Sequence, residues 1–160
     1  MPQEPEITVQ PPLLDRLIDL DRTAAGDPPQ SRNGAIRALR GAIRRDLEWL
    51  LNTRRTPLEL PKAYTELRES VFNYGLPDIT SIPMRSKMEA DNLLIMLEKT
   101  IALFEPRLAQ VRVYARDPFT KSERTLHFHI EALLLVDPAP EAISFDTVVR
   151  VDRGACEVEA

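Results

Sequence analysis

Cysteine is almost missing from this chain. Cys156 stands alone, so neither an internal disulfide nor a thiolate metal cluster can form, and a reducing cytoplasm suits such a chain. Glycine is also scarce. The five residues at 26, 34, 41, 75 and 154 are too scattered to form a phosphate-cradling loop. With no nucleophile-elbow or zinc-finger spacing either, the nucleotide-using enzyme classes lose most ground. The single tryptophan, Trp49, is poor provision for stacking sugars or bases. Apolar runs never approach the ~20 residues that cross a bilayer. The opening MPQEPEITVQPP is acidic and proline-rich, opposite in order to a secretory leader. The expectation is a cytoplasmic protein with no direct membrane insertion.

What is present is ordinary in amount and uneven in placement. A 43% hydrophobic and 29% charged composition over 160 residues fits one globular domain with a real core. Residues 1–12 hold four prolines and little to bury, and read as a flexible N-terminal arm. The rest, 13–160, reads as a single domain. The net charge of −4 weighs against nucleic acid as a partner. That average hides a gradient. Arg37, Arg40, Arg44, Arg45, Arg54 and Arg55 crowd one stretch, while residues 126–160 are mostly acidic. Opposite ends of this kind can pair with copies or partners, or simply be solvated.

Periodicity divides the chain into a helical front and a stranded back. Leu13, Leu14, Leu17, Ile18 and Leu20 make one or two amphipathic turns, and Asp21 to Gly34 has loop composition. Ile36, Leu39, Ile43, Leu47 and Leu50 recur every three or four residues, which predicts a helix over 35–53. Trp49 falls opposite that stripe and calls for a second surface to cover it, from this domain or a partner. A short helix fits 62–71, and Asn73 to Asp78 (NYGLPD) has the chemistry of a tight turn. Ser86 can cap a helix over 87–104 with Leu94, Leu97, Ile101 and Phe104 as its inner stripe, broadened by Leu93, Ile95 and Met96 toward burial on more than one side. After Pro106 the period drops to two. Strands are expected at 108–116, 125–136 and 143–151, with a short return through Cys156 and Val158. Helices followed by strands mean an α+β fold, two main helices on a small antiparallel or mixed C-terminal sheet.

Few residues stand out chemically. His127, His129 and Glu131 share a strand face and could hold a metal, but a polar strand face that is solvated or covered by a partner is the better reading. No metal or cofactor is expected. Glu105-Pro106-Arg107 is sharper. A carboxylate at a helix C-terminus opposes the dipole, at a cost of up to ~1 kcal/mol unless paired. Pro106 stops the helix, and Arg107 leaves on the first strand with a bidentate cation.

Three segments together carry a resemblance. Arg44-Arg45-Asp46-Leu47-Glu48-Trp49-Leu50-Leu51-Asn52-Thr53-Arg54-Arg55, then Asn73-Tyr74-Gly75-Leu76-Pro77-Asp78, then Phe104-Glu105-Pro106-Arg107-Leu108 are similar to the TssE family. These are baseplate subunits of type VI secretion, related to the sheath-initiator wedge proteins of contractile phages. The Leu13-Leu14-Asp15-Arg16-Leu17 opening fits as well. The resemblance implies a domain like the polymerising core of the sheath subunits, which link by exchanging strands. It implies a non-enzymatic part that joins the inner wedge (TssF, TssG and TssK) and starts the sheath (TssB and TssC). The family's Glu-Pro-Arg signature maps onto Glu105, Pro106 and Arg107 as partner-binding residues. Trp49 and Tyr74 are the further candidates. Lys121, Glu123 and Arg124 could guard a free sheet edge by charge.

Two rivals remain. Relatives have carried a lysozyme label, and Glu105 is the obvious acid for a glycoside hydrolase acting on peptidoglycan. Arg107 would hold that carboxylate ionised, the wrong state for a general acid. A nucleic-acid module would use the arginine-rich helix, yet that helix lacks interleaved aromatics and sits in an acidic chain.

Overall fold

The computed structural model describes residues 12–17, 31–58, 61, 63–81, 86–116, 125–150 and 153–159. Residues 1–11, Ile18, Leu20 and the candidate edge guards Lys121, Glu123 and Arg124 lie outside the described residues.

Two long helices organise the first half. Helix α2 spans Arg32–Asn52. It begins three residues earlier than the apolar period suggests, because the Ser31 side chain accepts from the Gly34 N–H and caps the first turn. Ile36, Leu39, Ile43, Leu47 and Leu50 are buried along it, as their spacing requires. Helix α4, Lys87–Phe104, opens on a capping box: Ser86 Oγ accepts from the Glu89 N–H, and the Glu89 carboxylate accepts from the Ser86 N–H. Its buried residues are Ala90, Leu93, Leu97, Thr100 and Ile101. The inner stripe is therefore rotated from the expected one. Leu93 goes in fully, whereas Leu94 and Phe104 are only half-buried and Ile95 faces out.

Shorter pieces join them. Helix α1 covers Leu13–Leu17 and α3 covers Thr65–Glu69, shorter than the 62–71 expected. Turns of 3-10 helix follow at Val71–Asn73 and Ile79–Ser81. The Asn73–Asp78 turn docks on the end of α2 through a parallel bridge. Arg55 N–H donates to Leu76 C=O at 2.8 Å, and Leu76 N–H donates to Thr53 C=O at 2.8 Å. Gly75 permits this approach. It sits at φ +101°, and a Cβ there would lie 2.3 Å from the Thr53 carbonyl oxygen.

The second half is a meander of four strands, β1 (Leu108–Ala115), β2 (Thr125–Leu134), β3 (Glu141–Arg150) and β4 (Ala155–Glu159), in spatial order β1-β2-β3-β4. All three pairings are antiparallel, so the sheet is not mixed. A bulge interrupts β1 between Ala109 and Arg112, with Gln110 at φ 52°. Burial alternates strictly on β3, where Ile143, Phe145, Thr147 and Val149 point inward. Val113, Phe128, Ile130, Leu134 and Val158 complete the same face. Helix α4 packs on β1 and α2 on β4, giving two layers around one core. Burying each large aliphatic side chain there stabilises by roughly 1.5–3 kcal/mol.

Candidate functional site

The end of α4 and the start of β1 are joined by a charged brace. Glu105 terminates α4, its N–H donating to the Ile101 C=O. Pro106 stays exposed at the corner, and Arg107 turns back so that its Nε and Nη2 donate to the two oxygens of Glu105. Glu105 is only 5% exposed, so an ion pair within the chain settles the dipole conflict expected at this position.

The brace continues onto α2. Arg107 Nη2 also donates to Asp46 Oδ2 at 2.7 Å. Asp46 Oδ1 accepts from Arg45 Nη2 at 3.1 Å, and Arg45 Nη1 meets Asp15 Oδ1 of α1 at 2.8 Å. Five side chains on α1, α2 and the corner between α4 and β1 thus form one alternating line of charge. Burial would lower the Arg107 pKa, but hydrogen bonds and charge from Glu105 and Asp46 outweigh it and raise it. Arg45 is raised too, chiefly by its bond to Asp15. Both guanidinium groups are held charged at any working pH.

Two aromatics flank this line. The Arg45 guanidinium carbon lies 5.3 Å from the Trp49 ring centroid. Trp49 remains 59% exposed, so no loop among the described residues covers it. Tyr74 packs edge-on against Phe104 with centroids 5.3 Å apart. Burial pushes its hydroxyl pKa up, and the charges of Asp46 and Glu105 add to that. Leu13, Leu14 and Leu17 of α1 are exposed around the tether at Asp15. The structure thus gathers Glu105, Arg107 and Tyr74, sets Pro106 at their border, and links Trp49 to them through Arg45.

Sequence reasoning missed Asp46, Arg45 and Asp15 as members of this group. Asp46 lies 61 residues from Arg107, and no spacing rule joins two such positions. The one local cue was Asp46 itself, an acid among the arginines of α2.

The other candidates resolve differently. His129 Nδ1 lies 2.9 Å from Asp146 Oδ1 on β3, and this bond holds the Asp146 pKa below its ordinary value. His127 is exposed. Among the described residues, no cluster of three or more His, Cys, Asp or Glu could hold a metal ion. A surface groove of about 360 Å³ between α4 and the Asn73–Gly75 turn is lined by Arg55, Asn92, Ile95, Lys99 and Phe104, among others, and by no carboxylate. The described helices include none long and apolar enough to cross a membrane.

The model of one family, baseplate wedge protein gp25, matches residues 37–139. The chain belongs to that family. No curated protein matches it. The matched span contains Arg45, Asp46, Trp49, Tyr74 and Glu105 to Arg107, and stops before β3. Membership makes this wedge protein a structural part of a contractile baseplate, one that assembles with other baseplate components.

Proposed function

We propose that this wedge protein serves a type VI secretion apparatus. It docks on the inner wedge of TssF, TssG and TssK and gives the first TssB–TssC sheath ring a sheet edge on which to polymerise. It does so without turning over a substrate, and its place of work is the cytoplasm. The observation that carries this reading is the surface around the brace. An exposed tryptophan, an exposed Pro106 and three exposed leucines cluster about a line of fixed charge. Apolar anchors surrounded by oriented charges are the usual make-up of a protein-binding hot spot.

The location of Glu105 refines the role of the Glu-Pro-Arg motif. Glu105 is sealed by Arg107 and faces inward, so its work is to aim Arg107 and Pro106 rather than to touch a partner directly. Charge reversal at Glu105 or Arg107 then reaches folding as well as docking. A cleaner probe is Trp49. The Trp49→Ala variant gives up an exposed ring and one cation–π contact, a loss of about 0.5–1 kcal/mol. Recovery of TssF, TssG and TssK with the tagged protein should drop at least tenfold, while the unfolding midpoint hardly moves. Wild-type recovery with that variant would remove Trp49 from the interface and leave the proposal without its main support.

The glycosidase alternative meets the same geometry. Both Glu105 oxygens are engaged by Arg107, and the carboxyl is buried. A general acid must reach a glycosidic oxygen in an open cleft, with a second carboxylate facing it.

A further inference from the structure

The two borders of the sheet are not equivalent. At β4 most of the outward main-chain groups are already occupied by α2. Asn52 Oδ1 accepts from the Cys156 N–H at 2.9 Å, and Asn52 Nδ2 donates to the Cys156 C=O at 2.7 Å. The carboxamide thus does what the peptide group of a neighbouring strand would do. Eight residues earlier on the same helix, Arg44 Nη1 donates to the Val158 C=O at 3.2 Å. Cys156 and Val158 present four outward groups, and three of them are satisfied. The plug is also fixed. Asn52 Nδ2 is held a second time by the Glu48 C=O at 2.7 Å, and α2 is anchored by fully buried Leu47, Leu50 and Leu51. Freeing this border would mean moving a core helix.

At β1 the border is open among the described residues. Arg116 N–H donates to the His127 C=O across the β1–β2 ladder. Antiparallel alternation then turns the main-chain groups of Val113 and Ala115 away from β2. Val113 N–H has one partner, Glu98 Oε2 at 3.3 Å, and that carboxylate also holds Arg112 at 3.4 Å. Both contacts are long for charge-assisted bonds, and Glu98 swings from a flexible side chain. The Val113 C=O and both groups of Ala115 have no partner among the described residues. The Gln110 bulge breaks regular pairing just before them. Beside this opening stand Arg112, Tyr114 and Arg116, all exposed; Arg112 reaches Glu98 of α4 and Arg116 reaches Asp146 of β3, each at 3.4 Å.

We infer that β1, along Val113–Ala115, is the edge that accepts an added strand, and that β4 is closed to addition. The inference rests on the strand-addition reading above and chooses between its two possible borders. The occupant is an extended segment of a sheath subunit. Its backbone completes Val113 and Ala115, and its carboxylates take over Arg112 from Glu98 and Arg116 from Asp146, whose ion pairs are exposed and 3.4 Å long. Glu98 leaves Val113 as that segment arrives.

Amide hydrogen exchange on the full chain, alone and with the TssB–TssC sheath proteins, tests this. The Ala115 amide is expected to exchange at least tenfold more slowly in the complex, with Val158 unchanged. An Ala115→Pro variant provides the second measurement. It removes an outward N–H that the native sheet does not use, so the fold tolerates it, yet sheath binding should weaken at least tenfold. Slowing at Val158 with Ala115 unchanged would overturn the assignment and leave strand addition standing. Sheath binding that protects neither edge, or no sheath binding at all, would overturn strand addition together with it.

Discussion

Replacing Arg107 by methionine should be the most damaging single change near the brace. The side chain keeps its approximate length and loses its charge. Glu105, 5% exposed, then keeps a negative charge with no cation against it. Removing one partner of a buried pair costs about 3–5 kcal/mol, because the survivor is left uncompensated. The Asp46 contact adds little. Its side chain and that of Arg107 are each 26% exposed, and solvent screens such pairs to within ~1 kcal/mol. The expected loss is therefore about 4 kcal/mol, a large share of the ~5–15 kcal/mol that stabilises a domain. The decisive comparison is the double variant, Glu105→Gln with Arg107→Met. It removes both charges and leaves a neutral amide, whose unmet hydrogen bonds cost only ~1–3 kcal/mol. The double variant should thus be more stable than the Arg107→Met single. Urea unfolding at neutral pH, followed by circular dichroism and Trp49 fluorescence, reads both. A single-variant loss under ~1 kcal/mol, or a double variant no more stable than the single, would refute the reasoning from buried charge.

Three other predictions follow from separate features. Gly75→Ala forces φ +101° on a residue with a Cβ, 2.3 Å from the Thr53 carbonyl oxygen; strain and the lost bridge to α2 should lower stability by about 3 kcal/mol in urea unfolding. Asn52→Ala should speed exchange of the Cys156 amide at least tenfold and promote self-association, seen by light scattering, because it opens the β4 border. Cys156 gives a pH test, since burial first, and then the charges of Glu48 and Glu157, push its thiol pKa up to about 12. Between its unfolded value of ~8.5 and about 12 the unfolded chain binds fewer protons than the folded one, so stability falls as pH rises, by up to ~1.4 kcal/mol per unit. Tyr74, also raised, acts in the same direction at higher pH. A Cys156→Ala variant should show a shallower decline from pH 9 upward, and an identical slope would remove the thiol as its cause.

The local architecture was written in local residues. Ser86 and Pro106 bound α4 where capping and ring geometry demand. The strands fall where the period changes to two, and the order of elements alone implied helices layered on a C-terminal sheet. The three quoted segments were enough to suggest a baseplate family, and the family match contains all of them. The rotation of α4 was not legible. Its residues are apolar on more than one side, and only the position of β1 decides which side faces the core.

The linear chain also fixed which charges exist, but not which ones meet. Glu105 and Arg107 are close in sequence, and their pairing could be foreseen. Asp46 reaches Arg107 only because α2 packs beside α4, whose C-terminal corner carries Arg107. Asn52 closes β4 only because α2 ends against that strand, more than a hundred residues away along the chain. Periodicity records the face a residue turns to the core. It carries no record of which neighbour waits there, since any packing that buries the same stripe satisfies it equally. Choosing among those packings, and so deciding which sheet border stays open, belonged to the tertiary fold.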